Sequence, residues 1–337
     1  MENVKEKNSK NSLENSLEHS GDDITDDLED FEDFMDEEFN DAIDTNSTLT
    51  AEFSDGYSLR NLVEYLRLTN YNGTFIFTED QILYEQANGK ETILNSLVID
   101  AHELTYYSMQ SRTSQITMRV SLSAMRQRTK NIGKKDRAVI SKMANDTNMY
   151  LEIYSQNSAS TGDNPNFYVI STLQSEIKPH KKPEYERKKR PNCTVYQGDF
   201  AKFCTSFISV KCSYVTVHAF KMGILFKGMS STNKAISFKE FGKCCGGESS
   251  ENVSTTTIQE KNAPTTIIKP KNSRPRLIVM ENGEIDSIKM QIDTIKGLAK
   301  LNNLSTTGTI KMYFEKEKPL LLICNIGTYG ELSVYLR

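Results

Sequence analysis

A group of basic side chains between residues 121 and 137 is the feature of this 337-residue chain that best suits a particular chemistry. The group contains Arg126, Arg128, Lys130, Lys134, Lys135 and Arg137, with Asp136 as its single acid. Guanidinium and ammonium groups at this density attract phosphate oxygens and carry no base-specific information. The segment therefore predicts a site for a polyanion.

The net charge of −4 conceals two parts of opposite sign. Residues 1–50 hold 17 acidic and three basic side chains, a charge of −14, whereas the remaining 287 residues hold 28 acidic and 38 basic ones, a charge of +10. Few branched apolar residues occur in 1–50, so burial there cannot repay the entropy of ordering. We predict a disordered acidic arm over 1–50 and a basic body that binds the polyanion.

Catalytic, metal and membrane functions find no support in the sequence. There is no P-loop, no G-x-G-x-x-G and no H-E-x-x-H, and the carboxylates are concentrated in the arm, which cannot hold a pair at fixed separation. Six cysteines without C-x-x-C spacing predict reduced thiols, and no apolar run approaches about 18 residues. We expect a non-enzymatic intracellular protein in a reducing compartment, with no cofactor, no metal and no membrane partner.

Four segments with a helical period position the basic side chains, starting near residues 58, 121, 199 and 291. Their apolar stripes are Leu59, Leu62, Val63 and Leu66; Leu122, Met125, Thr129 and Ile132; Phe200, Phe203 and Phe207; and Ile292, Ile295 and Ala299. Their other sides carry Arg60 and Arg67, Arg126 and Lys130, Lys202, and Lys296 and Lys300. Each segment is expected to form an amphipathic helix with one buried stripe and a basic exposed side.

Short alternating or branched apolar runs separate these helices and predict antiparallel hairpins. The helices group two by two around a linker, which gives an N-terminal domain over 51–156, a connector over 157–192 and a C-terminal domain over 193–337. A polar stretch over 244–275 predicts a long surface loop. The expected fold class is α+β, with two similar domains that each pack two helices on curved antiparallel sheets.

Three strings, taken in order, resemble one known family. "VSLSAMRQRTKNIGKKD" is similar to the second helix and following turn of the proliferating cell nuclear antigen (PCNA) family of sliding clamps. "QGDFAKFCTSF" resembles the opening of that family's third helix, and "KPLLLICNIGTYGELSVYLR" resembles its last two strands. The resemblance extends at the level of pattern over residues 53–336.

This resemblance implies a homotrimeric ring that encircles double-stranded DNA, with the helices lining the hole and the sheets outside. Such a ring acts as a DNA polymerase processivity factor without reading sequence. The inward basic positions carried over are Arg60, Arg67, Lys130, Lys202 and Lys300. Further candidates on the same helices and the following turn are Arg126, Arg128, Lys134, Lys135 and Lys296.

The family also binds partner peptides in an apolar pocket beneath the connector. By position, that pocket is expected to contain Leu94, Ile170, Leu173, Pro319 and Tyr335. The basic run in the connector favours acidic partner segments, and it is equally compatible with a nuclear import signal or a solvated linker. The Asn-, Lys- and Ile-rich composition suggests a large DNA virus, and hence a host nucleus or viral replication factory.

Two other functions remain open at this stage. A clamp-fold transcription factor would bridge RNA polymerase to DNA, and sequence does not separate it from a replication clamp. A monomeric DNA-binding protein would use one basic face with a steep salt dependence. Phe200, Phe203 and Phe207 count against this last alternative, because they fall on the apolar stripe and not among the basic side chains.

Overall fold

The computed structural model describes residues 47–111, 113–156, 164–173, 182–185, 190–230, 236–243, 256–258, 284–305 and 308–337. The predicted acidic arm lies outside these residues as far as position 46. Its last four residues do not, because strand β1 spans Ser47–Phe53 and pairs with two other strands. The predicted boundary at residue 50 was therefore four residues too far along the chain.

The first half of the chain folds as a strand, a helix, five strands, a second helix and three strands. Its elements are β1, α1 (Gly56–Thr69), β2 (Asn72–Thr78), β3 (Gln81–Ala87), β4 (Ile93–Asp100), a 3₁₀ turn (Ala101–Glu103), β5 (Tyr106–Met109), β6 (Gln115–Ser121), α2 (Leu122–Thr129), β7 (Arg137–Met143), β8 (Asn148–Tyr154) and β9 (Asn166–Leu173). Strand β9 corrects the predicted connector, because residues 166–173 pair with β8 and belong to the sheet.

The second half repeats this order of elements. Its elements are β10 (Cys193–Tyr196), α3 (Gln197–Ser209), β11 (Cys212–Phe220), β12 (Met222–Ser230), β13 (Ile236–Lys243), β14 (Thr256–Ile258), β15 (Glu284–Gln291), α4 (Ile292–Leu298), a 3₁₀ turn (Ala299–Asn303), β16 (Thr309–Tyr313), β17 (Leu320–Ile326) and β18 (Gly330–Leu336). Most of the predicted polar loop, residues 244–275, lies outside the described residues, apart from β14. The repeat confirms the expectation of two helices in each of two similar halves.

One antiparallel sheet joins the two halves. Thirteen strands run in the order β10-β16-β17-β18-β4-β3-β2-β6-β9-β8-β7-β1-β5, and a second sheet runs β14-β13-β12-β11-β15. The halves meet where β18 pairs with β4, from Gly330 opposite Ile99 to Leu336 opposite Ile93. A Cβ at Gly330 would lie 2.1 Å from the carbonyl oxygen of Val98, so only glycine fits this junction.

The four helices lie in one row, α2-α1-α4-α3, with their apolar stripes against the sheets. Asp55 caps α1 by accepting from the Ser58 amide, and Ser121 caps α2 by accepting from the Ala124 amide. Under α3, the ring of Phe203 contacts the rings of Phe200, Phe207, Phe226 and Phe241 at centroid distances of 5.5, 4.9, 4.5 and 5.3 Å. This aromatic packing fixes α3, and replacing Phe203 by alanine would cost about 3–5 kcal/mol.

Candidate nucleic-acid interface

All ten predicted DNA-binding residues lie on the helix row or on the turns that directly follow its helices. Eight are exposed: Arg126, Arg128, Lys130, Lys134, Lys135, Lys202, Lys296 and Lys300. Arg60 and Arg67, on α1, are half-buried. Because the opposite side of each helix is buried against the sheets, these basic side chains share the side of the row that faces away from the sheets.

The turn between α2 and β7, residues 130–136, is fixed in place by α1. The Gly133 amide donates to Asp136 Oδ2 at 2.7 Å, and the Gly56 amide donates to the Asp136 carbonyl at 2.8 Å. Arg60 Nη1 donates to the Ile132 carbonyl at 2.9 Å. These bonds fix the turn that carries Lys130, Lys134 and Lys135. Arg60 therefore also stabilises this turn, which the sequence did not reveal.

Three arginines of α1 and α2 are held over tyrosine rings. Arg60 lies 5.4 Å from the ring centroid of Tyr57, and Arg67 lies 5.5 Å from that of Tyr71. Arg128 lies 5.3 Å from the ring centroid of Tyr168. A guanidinium that stacks on an aromatic face keeps its N–H donors at its edge, so these contacts orient the arginines and leave donors for an anion.

No carboxylate in the described part of the chain forms an ion pair with Arg126, Arg128, Lys130, Lys134 or Lys135. Arg137, which belongs to the same basic group in the sequence, differs. Its Nη1 bonds Glu52 Oε1 at 2.9 Å and its guanidinium lies 4.2 Å from the Tyr154 ring centroid. Arg137 therefore holds β7 against β1 and does not add to the available positive charge.

The three lysines of the helix row in the second half are paired with carboxylates. Lys202 lies 3.4 Å from Asp199 and Lys296 lies 2.8 Å from Asp293, each three residues apart on its own helix. Lys300 lies 3.3 Å from Glu64 of α1, across the junction of the halves. The Lys296 ammonium, through its hydrogen bond and its charge, lowers the pKa of the Asp293 carboxyl. Such exposed pairs are weak, about 0–1 kcal/mol, but they reduce the field that reaches an approaching phosphate.

Asn61, on α1, is buried. Its Nδ2 donates to the Asn303 carbonyl at 2.7 Å and so joins α1 to the 3₁₀ turn after α4. The amide thus forms a bond between the halves. A buried amide without this partner would cost stability, so the contact favours the alignment of the helix row.

A second apolar group lies on the sheet face opposite the helices. We name it the outer cluster, and it consists of Leu94, Leu321, Ile323 and Tyr335, all buried. Leu94 and Tyr335 are thus brought together as predicted, and Pro319 lies in the turn just before β17. Ile170 and Leu173 are not brought to this site: Ile170 is buried in the main core, and Leu173 is exposed at the end of β9.

The error at Ile170 and Leu173 has a physical cause. These residues belong to β9, a strand of the thirteen-stranded sheet, whereas the connector begins after it. The connector residue that covers the outer cluster is Tyr185, which packs against Tyr335 with ring centroids 6.1 Å apart. One signal was present in the sequence: the run "LLLIC" within β17 has no polar alternation, which is typical of a strand covered on both faces.

The described part of the chain holds neither a metal-ligand cluster nor a membrane-length helix, and its four described cysteines are buried. No group of three or more His, Cys, Asp or Glu in these residues could hold a metal ion. Among the same residues, no helix is long and apolar enough to cross a membrane. Cys193, Cys204, Cys212 and Cys324 are unpaired thiols, and burial raises the pKa of Cys193 and Cys324 to about 12. These four thiols are therefore protonated side chains that fill space, as expected.

Comparison with solved structures identifies the fold. The chain is similar to the crystal structure of Proliferating Cellular Nuclear Antigen from Entamoeba histolytica, with a TM-score of 0.62 and 13% identity, covering 86% of this chain and 98% of that one. It is also similar to a PCNA2-PCNA3 complex from Sulfolobus tokodaii, with a TM-score of 0.59 and 12% identity, covering 85% and 98%. No protein-family model and no curated protein sequence matches the chain.

At these identities the similarity is one of fold, and it extends over nearly the whole length of the two solved chains. The expected fold class is confirmed: an α+β protein in which two repeated halves each pack two helices on antiparallel sheets. The chain has the PCNA-like clamp fold.

Proposed function

We propose that this protein is a DNA sliding clamp: a homotrimeric ring that encircles duplex DNA and tethers a DNA polymerase. The observation that carries the proposal is the helix row, which presents basic side chains on one side while the sheets close the other. Contacts of this kind bind phosphate without base readout, which is the property that sliding requires. Under this function the protein acts where DNA is replicated, such as a nucleus or a viral replication factory.

The strand edges support assembly into a ring. Strand β9 pairs with β8 over residues 166–171, and with β6 only through Thr172 and Leu173. Its other edge, along residues 166–171, carries no strand among the described residues. Phe167 and Val169 on this strand are 52% and 48% exposed. An open edge with apolar side chains is suited to pairing with a strand of another subunit.

A second edge in the other half provides the complementary surface. Strand β13 pairs fully with β12, whereas β14 covers only residues 236–238 of its other side. On this side, no strand among the described residues pairs with β13 beyond residue 238. Because β9 and β13 belong to different halves, their pairing would be head to tail, and a head-to-tail interface closes into a ring when its rotation permits.

The test combines mass and topology. Light scattering is expected to give about three times the 38.3 kDa of one chain, and the protein is expected to remain on closed circular DNA but to slide off after linearisation. Phe167→Asp with Val169→Asp should give a monomer that circles do not retain. Tyr196→Asp, at another exposed aromatic residue, should leave the trimer intact and serves as the matched control.

A monomeric wild-type chain that is never retained on circles would overturn the proposal and favour a one-faced DNA-binding protein. The choice between replication and transcription is tested separately. Capture of a DNA polymerase by the circle-bound protein supports the replication role. Capture of RNA polymerase subunits alone would support a role in transcription instead.

A further inference from the structure

The outer cluster forms one row across the junction of the two halves. In the sheet register Leu321 of β17 lies opposite Tyr335 of β18, and Tyr335 lies opposite Leu94 of β4. The alternate residues of these strands, such as Leu322 and Val334, point into the main core. The cluster is therefore a separate apolar surface, and its burial depends on what lies over it.

The cover is supplied by residues 182–185, which we name the connector segment. Tyr185 lies on the cluster, and the Lys318 Nζ lies 5.2 Å from its ring centroid. Lys318 Nζ also donates to the Glu184 carbonyl at 2.8 Å. At the other end of the segment, Lys182 Nζ donates to Ser96 Oγ at 2.6 Å. The segment thus crosses from β4 to the start of β17, with Tyr185 as its apolar contact.

This cover has an energetic defect. The hydroxyl oxygen of Tyr185 is buried and has no hydrogen-bond partner among the described residues. Burial, with smaller contributions from Glu315 and Tyr335, raises the pKa of that hydroxyl far above its ordinary value. A buried hydroxyl without a partner opposes the apolar gain of the ring, and the lysine contacts beside it are partly exposed and weak. The contact is therefore suited to being made and broken.

We infer that Tyr185 is an internal competitor for the outer cluster: it closes this surface in the isolated protein, and a partner must displace it to bind. The partner chemistry that fits is a peptide segment with an aromatic side chain, which would take the place of the tyrosine ring without the unsatisfied hydroxyl. This inference rests on the proposed function only in treating the cluster as a partner site. The occupation of the cluster by Tyr185 does not depend on DNA.

Fluorescence measures the occupation directly, because the chain contains no tryptophan. Tyr185→Trp would introduce the sole tryptophan, and its emission is expected at the short wavelengths of a buried indole. Tyr196→Trp is the matched control, since Tyr196 is 67% exposed, and it should emit at the long wavelengths of a solvated indole. Identical long-wavelength emission from the two folded variants would overturn the inference.

Competition is tested with two fluorescein-labelled 12-residue peptides, one with two adjacent phenylalanines and one with alanines in their place. Tyr185→Ala should bind the phenylalanine peptide about tenfold more tightly than wild type if the cluster is open in about one-tenth of wild-type molecules. The alanine peptide should show no such gain. Tyr185→Phe keeps the ring and removes the unpaired hydroxyl, so it should bind the phenylalanine peptide no more tightly than wild type.

Tyr185→Ala and Tyr185→Phe show whether Tyr185 competes with the peptide or forms a wall of the pocket that receives it. If Tyr185 were part of the surface that receives the peptide, Tyr185→Ala would bind more weakly, and that result would overturn the inference. If the phenylalanine peptide bound none of the variants, that result would overturn the inference as well. Retention on circular DNA is measured on the same proteins, and we expect Tyr185→Ala to match wild type there. Failure of the competition test thus leaves the DNA test standing, and the reverse also holds.

Discussion

The helix pairs of the two halves differ in what their basic side chains contact. Around α2, five basic residues have no ion-pair partner in the described part of the chain, and Arg128 is held over the ring of Tyr168. Around α3 and α4, Lys202, Lys296 and Lys300 each lie within 3.4 Å of a carboxylate. The two helix pairs are arranged alike, but more of the positive charge around α2 is left without a carboxylate beside it in the described part of the chain.

Under the proposed function, this difference changes what a DNA phosphate must displace on approach. A phosphate that reaches Arg126 or Lys130 displaces only water and counterions, and the release of counterions drives the binding. A phosphate that reaches Lys202 or Lys296 must also take the ammonium from Asp199 or Asp293. The first half is expected to supply most of the affinity, while the second half supplies a weakly attractive surface over which DNA can move.

The largest expected effect comes from neutralising the unpaired residues. Arg126→Gln with Lys130→Gln should weaken binding to duplex DNA by about tenfold or more at 0.1 M salt. For each side chain that no longer neutralises a phosphate, the slope of log affinity against log salt should become shallower by about 0.9. Glutamine preserves helix propensity, so folding should be intact. Fluorescence anisotropy over a series of salt concentrations measures both quantities.

The matched control is Lys202→Gln with Lys296→Gln, which removes the same number of charges from the paired side. We expect about a threefold loss of affinity or less, because the carboxylates already offset these charges. A second control, Lys311→Gln on the exposed side of β16, should have no effect. Equal losses of affinity from the two double variants would contradict the division between the halves.

A smaller effect of opposite sign is expected from the acids. Asp199→Asn with Asp293→Asn releases Lys202 and Lys296, so binding should become about two- to fivefold tighter at low salt and approach wild type at high salt. Glu331→Gln controls for a general change in net charge, because this half-buried acid of β18 alternates with the core residues Leu332 and Val334 and so lies on the sheet face opposite the helices. Unchanged affinity in the double variant would mean that the second half does not meet DNA.

The sequence predicted the helix row well because helices leave a local signal. The stripe of Leu122, Met125, Thr129 and Ile132 is fully buried in the structure, and the stripe of Phe200, Phe203 and Phe207 forms the aromatic packing under α3. Periodicity reports which face is apolar, so it also placed the basic residues of the second half, Lys202, Lys296 and Lys300, on exposed sides. Arg60 and Arg67 of α1 are instead half-buried. The fold class followed from the repeat of helices and hairpins.

The sequence did not predict which charges are available, because ion pairs depend on rotamers and on contacts between distant residues. Arg137 meets Glu52 and Lys300 meets Glu64 across 85 and 236 positions of chain. Ile170 and Leu173 were assigned to the partner pocket for a related reason: β9 was taken as part of the connector, since an isolated apolar run between polar stretches does not show whether it joins a sheet. Tyr185 was missed because one aromatic residue in a charged linker has no periodicity.

The smallest effect expected is a change in one titration, and it examines the paired half directly. In wild type the Lys296 ammonium holds the pKa of Asp293 below its ordinary value, so the carboxylate stays ionised as the pH falls through that value. The stability from this pair is present above the unfolded pKa and is lost as the pH falls through the lower, folded one.

NMR titration of the Asp293 carboxyl should show the pKa return towards its ordinary value in Lys296→Gln, whereas Lys202→Gln should leave it unchanged. Saturating duplex DNA should also raise it in wild type if a phosphate takes Lys296 from Asp293. A pKa that stays low with DNA bound would show that the pair survives, and that the second half attracts DNA even less than its lysines alone suggest.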